Sequence, residues 1–139
     1  MEDLKCPFRR VLLPGDFGCS HAHAVTRREG PDIACEAPRT QALCDEVLNR
    51  LKAVGLPALG HADDPTELPH GVAMKVQMGG LLGLQKLAGT TAEADSAAVR
   101  DVGAVVTAAT GRYGGAAAIP YADLVAEMSA FQLKRRRGR

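Results

Sequence analysis

Four cysteines are the residues whose type and placement in this sequence best suit chemistry: Cys6, Cys19, Cys35 and Cys44. They all fall within the first 44 of 139 positions, and the rest of the chain contains none. Four thiolates are enough to hold an iron–sulfur cluster or one tetrahedral zinc ion. The sequence therefore predicts that these cysteines bind a metal centre near the N-terminus.

The spacing of the cysteines favours a cluster over a single ion. Structural zinc sites usually take their ligands in Cys-x2–4-Cys pairs, because one small ion needs all four sulfurs at about 2.3 Å. Here 12, 15 and 8 residues separate the successive cysteines. A cubane cluster presents a separate iron atom to each cysteine, so it suits ligands that arrive singly. We expect a [4Fe–4S] cluster, with zinc as the alternative cofactor and free buried or redox-active thiols as a further one.

The redox state of the protein's cellular compartment determines which chemistry the cysteines are expected to carry out. No apolar stretch of signal-peptide length follows a basic start, which predicts a cytoplasmic protein. In the reducing cytosol, cysteines more often bind metals or do redox chemistry than form structural disulfides. No transmembrane segment is predicted, since the most apolar window, residues 72–87, carries Lys75 and Lys86.

His21 and His23 follow Cys19 closely and are candidate additional metal ligands. Histidines replace two cysteines in Rieske centres, but those need two Cys-x-His boxes and this sequence has one partial match. Exposed loop histidines are the simpler interpretation. No nucleophile elbow, phosphate-binding loop, dinucleotide fingerprint or zinc-protease motif occurs in the chain. The sequence therefore points away from an enzyme.

Hydrophobic periodicity predicts a mainly α fold, a small bundle of about four helices behind an irregular, cysteine-bearing N-terminal region. Proline and glycine interrupt residues 1–36, where only Phe8–Leu13 suits a short strand or a helical turn. Apolar residues recur at helical spacing in four later segments. The predicted helices cover residues 38–54, 71–87, 93–109 and 120–133.

We expect residues 1–133 to form a single domain, with the cysteine loops and the start of the first helix in residues 1–44 and a helical body in residues 45–133. Lys134–Arg139 is a separate basic tail that holds five of the 17 basic side chains and leaves a charge of −4 on the rest. Such a tail can bind nucleic acid weakly, dock on an acidic protein or bind an anionic membrane surface. The simpler interpretation is a solvated terminus that aids solubility.

Together these features predict a small iron–sulfur protein that serves in electron transfer, in redox sensing or as an accessory subunit of a larger complex. A protein partner is implied by that role. The alternatives are a zinc-stapled protein-interaction module and a nucleic-acid-associated protein that uses its basic C-terminal tail.

Overall fold

The computed structural model describes residues 4–13, 17–60, 70–89 and 98–131. This part of the chain is mostly helical with a small three-stranded sheet, which confirms the mainly helical fold class. None of the helices in these ranges is long and apolar enough to cross a membrane. The predicted helix boundaries at Glu93 and Leu133, and the basic tail Lys134–Arg139, lie outside the described residues.

The N-terminal region contains an antiparallel sheet, so the prediction of irregular loops was wrong. The sheet has the order β1-β3-β2, with β1 at Leu4–Lys5, β2 at Ala22–Arg27 and β3 at Gly30–Cys35. Strands β2 and β3 form a hairpin in which Arg27 pairs with Gly30, whose φ of 125° favours glycine. A short helix, α1 (Arg9–Leu12), confirms the expected helical turn in this segment.

Helix α2 spans Pro38–Ala58 and confirms the predicted start of the first helix. Pro38 lies in the first turn, where the missing N–H of proline costs no hydrogen bond. The prediction that this helix stops at Gly55 was wrong, because α2 continues through Pro57 and ends at Ala58. A proline so near the C-terminal end loses only one helical hydrogen bond. Extending the helix also buries Leu56, which is 5% exposed.

The second predicted helix is present with an irregular centre. Helix α3 (His70–Met74) continues through a π-helical turn (Lys75–Gly79) into α4 (Gly80–Ala88). A Cβ atom added at Gly79 would lie 2.6 Å from the Cα of Met128, so a neighbouring backbone occupies the space of a side chain. Close helix approach therefore accounts for this glycine.

The third and fourth helices are shorter than predicted. Helix α5 spans Val102–Tyr113, and the described residues before it are not helical. Asp101 caps α5 by accepting a hydrogen bond from the Ala104 N–H at 3.3 Å. Gly114, with a φ of 85°, ends the helix. The last helix is a 3-10 turn followed by α6 (Val125–Ala130).

One apolar core joins the sheet region to the helices. Phe8 comes from the N-terminal region and is fully buried, while most of the other large, fully buried side chains are leucines and valines of the helices. The largest fully buried side chains include Phe8, Leu51, Leu81, Leu84, Leu124 and Met128. The core thus closes with very few aromatic rings and fixes the sheet against α2 and α5.

Candidate metal centre

Strand pairing brings three of the four cysteines to one end of the sheet. Cys35 is the last residue of β3, and it lies opposite Leu4 of β1 on one side and Ala22 of β2 on the other. Cys6 follows β1, and its N–H donates to the Ile33 carbonyl at 3.1 Å. The carbonyl of Cys19 accepts from the Ala22 N–H at 3.2 Å. The sheet, which was not predicted from the sequence, therefore brings these three cysteines close together.

Helices α2 and α5 close the other sides of the same region. Cys44 is buried in α2, and α2 is tied to β1 by the Gln41 side chain, which donates to the Lys5 carbonyl at 3.1 Å. A Cβ atom at Gly103 of α5 would lie 3.1 Å from the Cys19 Sγ and 3.2 Å from the Thr40 Cγ2. Only glycine therefore lets α5 approach this closely.

The four thiols are near enough to influence one another electrostatically. Burial raises the pKa of Cys44 to about 12, and the thiols of Cys19, Cys6 and Cys35 act in the same direction. Burial also raises the pKa of Cys6 to about 11, with smaller contributions from Cys19 and Cys35. At neutral pH these two side chains are therefore protonated thiols unless a cation binds them.

Backbone N–H groups point at two of the sulfurs. The Gly103 N–H donates to the Cys19 Sγ at 3.3 Å, close to the N-terminal end of α5. Burial raises the pKa of Cys19, whereas this donor and the backbone of His21 oppose that rise. The backbone of Phe8 acts in the same way on Cys6. Such donors stabilise sulfur that carries negative charge.

The cysteines are free thiols rather than disulfides. The Cys35 Sγ donates to the Ala37 carbonyl at 3.5 Å. Across residues 4–13, 17–60, 70–89 and 98–131, no group of three or more His, Cys, Asp or Glu side chains is arranged so that it could hold a metal ion. The four cysteines therefore lie near one another, but their side chains are not arranged as metal ligands.

The two candidate histidines occupy different environments. A Cβ atom at Gly103 would lie 3.1 Å from the His21 Cδ2, so this ring borders the cysteine region. His23 is exposed and lines a cleft of about 190 Å³ together with Cys19 and Phe17. Cys19 is the least buried of the four cysteines, and this cleft is its route to solvent.

The position of α5 beside Cys19 was not predicted from the sequence. Asp101 accepts from the Ser20 N–H at 3.1 Å as well as capping α5, and so fixes the helix beside Cys19. Burial opposes ionisation of Asp101, but its bonds with Ser20 and Ala104 outweigh burial and lower its pKa. An Asp directly before an apolar run is an N-cap signal. It was obscured because the predicted helix began upstream.

Comparison of the chain with protein-family models, curated proteins and solved structures found no match.

Proposed function

We propose that Cys6, Cys19, Cys35 and Cys44 bind a [4Fe–4S] cluster, and that the protein is a small iron–sulfur protein acting in electron transfer, redox sensing or as an accessory subunit. The observation that carries this proposal is that the sheet places Cys6, Cys19 and Cys35 near one another, and that all three act electrostatically on Cys44. They come from four separate backbone segments, which suits a cofactor that offers each ligand its own iron atom.

The protonation of the thiols argues against free-thiol chemistry. Reactive cysteines need a lowered pKa, because the thiolate is the nucleophile. Here burial raises the pKa of Cys6 to about 11 and that of Cys44 to about 12. Metal binding displaces such protons and is coupled to folding. The Cys35 thiol would also have to release its hydrogen bond to the Ala37 carbonyl before it could bind iron.

The surroundings of Cys19 fit a cluster ligand. Hydrogen bonds to sulfur and solvent exposure tune the potential of iron–sulfur centres. The Gly103 N–H supplies such a bond, and the glycine leaves room for the sulfur. When bound, the cluster would supply one-electron transfer. Cys19 is the least buried ligand and opens to a cleft, so the partner that exchanges electrons is expected to dock on this side.

Metal and sulfide analysis of protein purified without oxygen tests the proposal. A [4Fe–4S] protein is brown, absorbs broadly near about 400 nm and contains about four iron atoms and four sulfides per chain. One zinc per chain in a colourless protein would overturn it in favour of the zinc-stapled module. Protein that binds neither metal after reconstitution would overturn both.

A pair of glycines in α5 provides a matched test of the site. Gly103→Ala places a methyl group 3.1 Å from the Cys19 Sγ, whereas Gly111→Ala meets nothing within 4 Å. Both changes raise helix propensity by up to about 1 kcal/mol. We expect Gly103→Ala to lower the iron content by about half or more, because packing around Cys19 leaves little room. Gly111→Ala should keep full iron. Equal iron in both variants would show that the cluster is not held beside Gly103.

A further inference from the structure

A second cavity lies beside the β2–β3 hairpin and α1, and it has a volume of about 420 Å³. Three basic residues line it: Lys5 of β1, Arg9 of α1 and Arg27 of β2. Two acidic residues, Glu29 and Asp32, also face it. Pockets of this size hold small molecules.

One carboxylate organises two of the cations. Asp32 accepts from the Arg27 Nε at 2.7 Å, and its other oxygen lies 3.5 Å from the Arg9 Nε. Its side chain is only 12% exposed, so this arrangement is held in place. A single carboxylate can neutralise one guanidinium. Positive charge therefore remains at the cavity, with Glu29 as the other acidic residue that lines it.

Arg27 also has an unused hydrogen-bond donor. Its Nη2 is buried and has no acceptor, although its Nε is fully engaged by Asp32. An unpaired buried donor is unfavourable, because it has lost its hydrogen bonds to water. Arg27 lines the cavity, so an oxyanion bound there is a candidate acceptor for this guanidinium. Arginine suits such a role because its planar fork matches carboxylate and phosphate oxygens.

We propose that this cavity binds a small organic oxyanion, a carboxylate or phosphate ester, through Arg27, Arg9 and Lys5. Leu13 and Pro31 form its apolar wall. Leu13 is 45% exposed and is the one large hydrophobic side chain on the surface of the described residues, so it favours a ligand with an apolar body. No cysteine lines this cavity, although Arg9 also donates to the Cys6 carbonyl at 3.5 Å.

Titration of the full-length protein with four probes tests the proposal: phenylphosphate, benzoate, inorganic phosphate and neutral benzyl alcohol. Amide shifts of Lys5, Arg27 and Gly30 report the site by NMR. We expect saturable binding of an aromatic anion with a Kd at or below about 1 mM, weaker binding of inorganic phosphate and none of benzyl alcohol. Whether phenylphosphate or benzoate binds more tightly identifies the headgroup. Absence of saturable shifts with both anions would overturn the proposal.

Two arginine variants separate the cavity from general surface charge. Arg27→Lys keeps the charge and the contact with Asp32 but loses the fork, so binding should weaken about tenfold or more. Arg28→Lys is the matched control, since Arg28 is exposed in the adjacent turn and does not line the cavity. Equal weakening by both would overturn the site. If Arg27→Lys fails to fold, Lys5→Gln on β1 replaces it, and unchanged binding by that variant would count against the proposal.

Discussion

Two regions of the molecule contribute to the common core by different means. The sheet region comprises residues 4–13 and 17–36 and carries the first three cysteines. The helical region comprises residues 70–89 and 98–131. The helical region packs backbone against backbone, as where Gly79 lies against Met128. The sheet region has short strands, and two of its buried side chains are Cys6 and Cys35. The polar side chains that the helical region buries are the amides of Gln77 and Gln85, whereas the sheet region buries thiols that could bind a metal.

The largest expected effect comes from removing one thiol, which should destabilise the sheet region but not the helical region. Cys35→Ser should abolish cluster binding and make residues 17–36 at least about tenfold more sensitive to protease, because metal binding contributes to folding. The helices from residue 70 onward should stay protected. Limited proteolysis with mass spectrometry locates the cuts.

The parent protein stripped of metal by a chelator is the control for this variant. It should be cut in the same places and at a similar rate, because it lacks the same stabilisation. Equal protection of the variant and the metal-loaded parent would mean that Cys35 is an ordinary packing residue, and the contrast between the regions would then fail.

The second expected effect lies in the helical region. Gly79→Ala drives a methyl group to 2.6 Å from the Met128 Cα and 2.7 Å from the Glu127 carbonyl oxygen. Since backbone atoms cannot rotate away, α6 must shift, and the free energy of unfolding should fall by about 3 kcal/mol. Urea denaturation measures the loss, which should be alike with and without metal. Gly111→Ala is the control, because it meets nothing within 4 Å and gains helix propensity, so its stability should not fall. A similar loss there would show that the close contact with α6 is not the cause of the loss at Gly79.

The sequence predicted the helical region better than the sheet region for a physical reason. Helix periodicity repeats over many residues, so the start of α2 at Pro38 was correct. Strand β1 has two residues and β3 begins with Gly30 and Pro31, so neither shows a clear alternation. Helix ends were misjudged where tertiary contacts decide, as when burial of Leu56 carries α2 past Gly55.

The candidate site could be predicted only in its residue types. Cysteine number and spacing named the four thiols, but their convergence depends on the pairing of Cys35 with Leu4 and Ala22, which requires the sheet. Gly103 approaches Cys19 from 84 residues away in the chain. No local sequence pattern predicts such a contact.

The third expected effect concerns the charge cluster of the sheet. Burial raises the pKa of Asp32, but the Ile33 N–H, Arg27 and Arg9 outweigh burial and lower it overall. A carboxyl whose pKa is lowered in the folded state contributes stability above its unfolded pKa of about 3.9 and loses it as pH falls through the folded value. Asp32→Asn should therefore cost about 2 kcal/mol near neutral pH through the loss of charged hydrogen bonds.

The pH dependence of the unfolding free energy checks this assignment. The difference between parent and Asp32→Asn should be constant above about pH 5 and shrink in more acidic solution. Glu46→Gln is the control, since Glu46 and Arg50 form an exposed pair on α2 that contributes about 0.5 kcal/mol or less. A difference that did not change with pH would show that packing of Asp32, rather than its charge, stabilises the sheet.

The smallest expected effect tests the link between the two regions. Asp101 caps α5 through the Ala104 N–H and also accepts from the Ser20 N–H, one residue from Cys19. Asp101→Ala removes both bonds, and loss of an N-cap costs about 1 kcal/mol. Asp101→Asn keeps an acceptor and should lose less. Because the bond to Ser20 needs an ordered sheet region, the deficit of Asp101→Ala should be larger in metal-loaded protein than in stripped protein. Thermal unfolding of both forms measures it, and equal deficits would mean that Asp101 serves α5 alone and that the cysteines are ordered independently of this cap.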